Sequence, residues 1–343
     1  HVSLAVILAE AVPSGVTYRI PALLYIPPDM FLAFAEKHSS SRNEDAEYLV
    51  LRRGRKTGTS VEVIPCAFAV LPGHRTMSPC PVYERRSQTV FLFFICNAAR
   101  LCYVRSGNAG RTWSSLTDLT EQVIGEDLKD WATFSVGPGH GVQLRSGRLV
   151  IPAYTYHITA RCCRLPLSWG TQPRSLVFYS DDGGQRWHKV ECQVAEVACQ
   201  GCDPVLYCNA RTPCWCRAAA FSTDQGLTFE CHSSCCQGSV VSFTLTTGST
   251  VLWLLYSHPT GKCKRVDLGI HLNQSPLNEA KWEHPWLLYK GPWGYSDLGM
   301  CQEVPALLLF GCLFECGVNH ACEEIAFQLF SQAAVPASPL PSY

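Results

Sequence analysis

Apolar residues in this chain fall into short runs rather than along a helical stripe. Met30–Glu36 (MFLAFAE), Thr89–Cys96 (TVFLFFIC), Gly147–Tyr156 (GRLVIPAYTY), Ser175–Ser180 (SLVFYS) and Pro204–Ala210 (PVLYCNA) show the pattern. Gly238–Leu245 (GSVVSFTL), Thr250–His258 (TVLWLLYSH) and Glu324–Phe330 (EIAFQLF) repeat it in the second half. Gly, Pro, Ser, Asn or Asp bound each run, which is the punctuation of β-strands and turns. The best helical spacing lies in Ser115–Trp131 (SLTDLTEQVIGEDLKDW), with Gly125 inside it. The pattern predicts an all-β fold with a flexible tail at 331–343, where proline and small residues leave little to bury.

A repeat narrows the architecture. Ser106–Trp113 (SGNAGRTW), Ser180–Trp187 (SDDGGQRW) and Ser222–Phe229 (STDQGLTF) share Ser-x-Asp/Asn-x-Gly-x-x-aromatic. The Asp or Asn side chain suits capping of turn N–H groups, the Gly suits a positive φ, and the aromatic suits packing beneath a hairpin. Unequal intervals between the copies point to a radial array of antiparallel sheets, a propeller, rather than a strict solenoid.

Composition changes this picture little. The 28 Lys+Arg balance the 28 Asp+Glu, so nothing marks a nucleic-acid partner. The longest apolar runs, Val2–Ala9 and Val304–Phe314, fall short of the roughly 20 residues that cross a bilayer. Twenty cysteines raise the possibility of disulfides, yet adjacent pairs such as Cys162-Cys163 and their apolar flanks favour reduced thiols. Cys199-x-x-Cys202 with Cys214-x-Cys216 has the wrong second spacing for a zinc knuckle and reads as loop thiols. Asn273-Gln274-Ser275 is a formal glycosylation sequon followed by Pro276.

Arg19 is the chemical anomaly. It sits in TYRIPALLY (Thr17–Tyr25), an apolar strand where a guanidinium needs an anion, from the protein or from a ligand.

The Arg-Ile-Pro at 19–21, followed by the three Ser-x-Asp/Asn turns, resembles the sialidase (neuraminidase) superfamily. Longer stretches, including AFAEKHSSSRNEDAEYLVLRRG, DWATFSVGPGHG, RVDLGIHLNQ, GYSDL and LFGCLFECG, extend the likeness over nearly the whole chain and toward the membrane-associated ganglioside sialidases. The resemblance implies a six-bladed β-propeller over residues 1–330, at roughly 57 residues per blade. It implies an exo-α-sialidase acting on sialylated glycolipids and glycoproteins. Peripheral attachment at the plasma membrane and no metal or organic cofactor are implied as well.

The resemblance also distributes roles. Arg19, Arg211 and Arg265 would clamp the sugar carboxylate, which guanidinium groups bind by paired, charge-assisted hydrogen bonds. Glu315 would orient Arg19, although a simple structural ion pair would make the same contact. Tyr295 in GYSDL matches the nucleophile and Glu191 in VECQVAE its base. A neutral phenol avoids the repulsion that a carboxylate would meet at a carbon already bearing one. Tyr154, Tyr156, Met77 and Glu36 match further substrate contacts, with structural roles equally open.

Two positions depart from the family pattern. His38 stands where an arginine is expected and Asn43 where the acid/base aspartate is expected. An amide has no titratable proton, and loss of general-acid help costs about 10² to 10⁴ in rate. Asp45, Glu44 or His38 would have to substitute. The chain is also shorter than the pattern after Cys96 and near Thr244–Val251. Three functions stay open at this point: a sialidase, a sialoside-binding protein with impaired catalysis, and a propeller that only holds other proteins.

Overall fold

A computed structural model describes residues 4–8, 15–64, 68–69, 73–97, 99–162, 165–166, 170–190, 195–197, 205–211, 217–222, 230–233, 238–244, 252–260, 265–276, 282–302 and 308–336. The apolar runs become strands, and consecutive strands pair antiparallel. The first meander is Thr17–Ile26, Met30–His38, Ala46–Thr57 and Ser60–Val63. The second is Thr76–Glu84, Thr89–Cys96, Arg100–Ser106 and Thr117–Asp118. The third joins Trp131–Val136, Leu149–Ile158, Thr171–Ser180 and His188–Val190. The fourth joins Ala195–Val197, Val205–Arg211, Arg217–Ser222 and Glu230–Ser233.

Seven further strands form one sheet. Its long strand Trp286–Gln302 pairs with Val266–Asn273 through its first part and with Leu308–Cys316 through its second. A fifth meander (Ser239–Thr244, Leu252–Pro259, Val266–Asn273) and a sixth (Leu308–Cys316, Glu324–Ser331, Leu4–Leu8) share that strand. Leu4–Leu8 thus completes the sheet built by the chain's other end.

The core lies between neighbouring meanders rather than at one centre. Leu32, Phe34, Leu49 and Leu51 of the first pack with Leu92, Phe94 and Val104 of the second. Phe91 and Phe93 pack with Leu149, Ile151 and Phe178 of the third. Phe31, Ala33 and Val50 meet Leu309, Leu313 and Phe327 of the sixth, closing the array. Each fully buried Phe or Leu contributes roughly 1.5–3 kcal/mol. The result is the all-β propeller that the pattern predicts.

Two of the three Ser-x-Asp/Asn turns are described, each between the third and fourth strands of its meander. Asp182 Oδ1 accepts the N–H groups of Gln185 and Arg186 at 3.0 and 2.8 Å, and Ser180 Oγ accepts that of Gly184 at 2.9 Å. These bonds, led by the Arg186 N–H, hold the Asp182 carboxyl down to about 2. Asn108 and Ser106 repeat the arrangement toward Thr112 and Gly110. The aromatic packs outward onto the preceding meander, Trp187 on Phe93 (4.6 Å between centroids) and Trp113 on Phe34 (6.1 Å). Residues 223–229 of the third copy lie outside the described residues.

The polar anchor of the array is Asp297, 1% exposed on the long strand. It accepts from Leu23 N (2.7 Å), Ser239 Oγ (2.8 Å) and His140 Nδ1 (3.0 Å). Burial alone would lower the His140 pKa; the charge and hydrogen bond of Asp297 together outweigh it and raise it.

Some expectations change. Ser115–Trp131 is not an α-helix: a π-type turn at Thr120–Ile124 passes into a 3-10 segment at Gly125–Asp130. Gly125 sits at φ 54°, outside the helical range, so the apolar spacing cannot propagate across it. Ordered chain also runs past residue 331, through a 3-10 turn at Gln332–Ala334 to a buried Val335. Cys80, Cys96, Cys102, Cys301, Cys312, Cys316 and Cys322 carry free thiols. Cys199, Cys202, Cys214 and Cys216 lie outside the described residues. Asn273 is 1% exposed and its Oδ1 accepts the Ser275 N–H, which withholds the sequon from modification.

Candidate active site

The strand carrying Arg19 breaks its own ladder. Register shifts between the pairs Arg19–Glu36 and Ala22–Phe34, because Ile20 adopts φ 50° and Pro21 has no N–H to return to the sheet. The Ile20 N–H freed by this bulge donates to Glu315 Oε1 at 2.7 Å. Glu315 Oε2 accepts the Tyr295 N–H at 3.1 Å. Only glycine fits at 294, since a Cβ there would stand 1.7 Å from that oxygen. One buried carboxyl therefore fixes the backbone beneath both Arg19 and Tyr295.

That role differs from the expected direct hold on the Arg19 guanidinium. Burial pushes the Glu315 carboxyl up to about 7, against the opposing pull of the Ile20 N–H, Arg19, the Tyr295 N–H and Arg265. Arg19 and Arg265 both come within electrostatic range of Glu315. The Arg265 guanidinium lies 5.1 Å from the Tyr295 ring centroid. Arg19 Nη1 donates to Asn43 Oδ1 and, at 3.3 Å, to the Ser41 carbonyl, while its Nε is buried without a partner.

A second bulge repeats the device. Ser78, at φ 58° before Pro79, shifts the register between Met77–Ile95 and Cys80–Phe93, and its N–H donates to Glu36 Oε1 at 2.5 Å. Glu36 Oε2 meets His38 Nε2 at 2.7 Å, and His38 Nδ1 meets the Arg42 carbonyl at 2.9 Å. Both side chains are nearly sealed, at 2% and 1% exposure. His38 therefore has no nitrogen left for a substrate. Met77 flanks this bulge as Arg19 flanks the first.

Tyr154 and Tyr156 share a face of Leu149–Ile158, their rings 6.3 Å apart at 81°. Burial, then the neighbouring Tyr295, pushes the Tyr154 phenol up to about 12; its hydroxyl is hydrogen-bonded with Ser135, whose Oγ in turn reaches Ser78 Oγ at 2.5 Å. Asn43 opens the exposed 3-10 turn Asn43–Asp45. Asp45 accepts from Ser40 Oγ and Arg42 Nε at 2.5 and 3.0 Å. Those bonds hold its carboxyl below the ordinary range, the wrong direction for a proton donor.

Glu191 lies outside the described residues. Arg211 ends the strand Val205–Arg211, and its side chain is likewise outside them. The arrangement thus brings together Arg19, Arg265, Tyr295, Glu315, Tyr154, Tyr156, Glu36, His38, Met77 and Asn43. Sequence reasoning missed Cys322, whose thiol hydrogen-bonds with Arg19 and is raised by burial and by Glu315. It also missed Ser78 and Ser135, although the x-x-Pro spacing shared by Arg19–Pro21 and Met77–Pro79 was a signal for the former.

Comparison with known proteins decides the family. The BNR repeat-like domain matches residues 30–307. Sialidase-3 of Homo sapiens is 50% identical, over 94% of this chain and 90% of its own length. The chain belongs to the sialidase family. Mouse Sialidase-2 is 41% identical over 92% of each chain. Among solved structures, a Hadza microbial sialidase superposes with a TM-score of 0.74 at 22% identity, over 93% of this chain and 66% of its own. The Ruminococcus gnavus intramolecular trans-sialidase gives 0.70 at 15% identity, over 94% and 96%. This sialidase is a glycoside hydrolase with exo-sialidase activity, and its substrates are sialylated glycoconjugates.

Proposed function

We propose that this sialidase releases sialic acid from gangliosides and related sialoglycoconjugates with retention of configuration, in a propeller whose six meanders are its blades. The observation that carries the reading is two guanidinium groups, Arg19 and Arg265, gathered around Glu315 beside the Tyr295 ring. With Arg211 they would clamp the sugar carboxylate. Tyr295 would attack the anomeric carbon while Glu191 takes its proton, and water would then release the sugar. Tyr154, held neutral, would line the site without competing as a nucleophile. The ganglioside preference and a peripheral attachment to the plasma membrane rest on the likeness to ganglioside sialidases. Among the described residues no helix is long and apolar enough to cross a membrane.

Mass spectrometry after incubation with a 2,3-difluorinated sialic acid tests the mechanism. An adduct on Tyr295 is expected; turnover of sialosides with no Tyr295 adduct would remove Tyr295 from its role.

A second reading has its own observation. Asn43 carries no proton to donate, its Oδ1 already accepts from Arg19, and Asp45 and His38 are committed elsewhere. On this reading the protein holds sialosides and cleaves them slowly. An aryl sialoside, whose leaving group needs little protonation, would then turn over far faster than a ganglioside. Equal rates on both would show that another acid serves.

A further inference from the structure

Arg53 lies on Ala46–Thr57 and is 7% exposed, with its Nε sealed from solvent and without a hydrogen-bond partner. Among the described residues no carboxylate forms an ion pair with it. Its neighbours are cations: after burial itself, the charges of Arg111 and Arg55 lower its pKa. Arg55 reaches Asp29 at 3.5 Å on the surface, and Glu62 stands opposite Arg55 in register without an ion pair. Arg111 belongs to the Ser106–Trp113 turn of the second meander. That turn sits against the Arg53 strand, since a Cβ on Gly110 would come within 2.9 Å of Leu51 Cδ2. Leu51 and Arg53, two residues apart on a strand, share a face.

A buried guanidinium among like charges is unfavourable until an anion completes it. We propose that Arg53, Arg55 and Arg111 form an anion site between the first and second meanders that takes a phosphate monoester. Several guanidinium groups suit a tetrahedral, doubly charged group, whereas a planar carboxylate matches a single fork. The site is distant from the sugar pocket. Ala46 follows the Asn43 turn, and Arg53 is seven residues further along the strand (53 − 46), about 23 Å at the usual rise. The monoester has two possible sources, a lipid headgroup or soluble phosphate.

Thermal unfolding of the full chain in inorganic phosphate, against chloride at equal ionic strength, tests the site. A ligand that binds only the folded state raises Tm, here by a few °C at saturating phosphate. Arg53→Met should lose that response while unfolding no lower than wild type in chloride, because an uncompensated charge has been removed. Arg111→Ser, an exposed change, should weaken the response. Cleavage of an aryl sialoside should stay unchanged in both. Flotation with phosphatidylcholine vesicles, with and without phosphatidic acid, separates the sources. Retention only on the phosphatidic acid vesicles, lost in Arg53→Met, assigns a headgroup; a phosphate response without retention assigns soluble phosphate. No phosphate-specific response and no retention, or responses that survive in both variants, would overturn the site.

Discussion

The bulges at Ile20 and Ser78 are one backbone device with two side-chain outcomes. Each places a positive-φ residue before a proline on the innermost strand of its meander and hands the freed N–H to a buried glutamate of the meander before it, Glu315 or Glu36. The residue ahead of the bulge is Arg19 in one case and Met77 in the other. Their glutamates differ in what else they hold. Glu315 spends its second oxygen on the backbone of Tyr295, whereas Glu36 spends its own on His38. The fold thus supplies a repeated scaffold, and a single residue decides whether it presents charge or apolar surface.

That comparison can be broken at several points. Arg19→Met would make the first bulge imitate the second; losing one member of a charge-assisted pair costs about 3 kcal/mol, roughly 150-fold in kcat/KM on an aryl sialoside. The fold should survive, since the Ile20 N–H to Glu315 bond is untouched. Asn43→Asp restores a titratable group beside Arg19 and should raise ganglioside turnover by about 10²-fold with little change for the aryl sialoside.

Glu315→Gln and Glu36→Gln are the matched pair. Both partners of Glu315 are N–H donors, so the amide of Glu315→Gln leaves one unmatched at about 1–3 kcal/mol of stability in urea unfolding. The amide of Glu36→Gln can still accept from the Ser78 N–H and donate to His38 Nε2, so its cost should be smaller. Glu315→Gln should also lower kcat, because it disturbs the Tyr295 backbone, whereas Glu36→Gln should act mainly on stability. Equal losses of kcat would erase the distinction between the bulges.

The smallest effect concerns pH. The Glu315 carboxyl lies at about 7 in the fold against an ordinary 4.5, so its protonated form is favoured. The stability it contributes is full below pH 4.5 and is lost as pH rises through about 7. Ionisation also adds a negative charge beside Arg19 and Arg265, so affinity for a sialic acid analogue should fall a few-fold across the same window. Glu315→Gln should flatten that profile, as measured by titration calorimetry.

How much of this was legible beforehand follows sequence separation. The strands, the Asp182 and Asn108 turns and the anomaly of Arg19 are local, and all could be read from runs and punctuation. The Ser115–Trp131 segment misled because apolar spacing says nothing about the φ of Gly125. Glu315 was legible as a partner of the Arg19 region but not as a backbone anchor, because its bond to Ile20 spans 295 residues. Cys322 carried no motif and Ser135, though inside the DWATFSVGPGHG stretch, no assigned role, and only the folded chain brings them to Arg19 and Ser78. His38 looked like a possible proton donor until both of its nitrogens proved to be engaged.

The central claim is that Arg19 and Arg265 close on one sugar carboxylate above Glu315. A crystal structure with an unsaturated sialic acid analogue tests it most directly. The account predicts a carboxylate about 2.7–2.9 Å from nitrogens of both arginines, with Arg19 released from Asn43. A carboxylate bound elsewhere, with Arg19 still donating to Asn43, would contradict it.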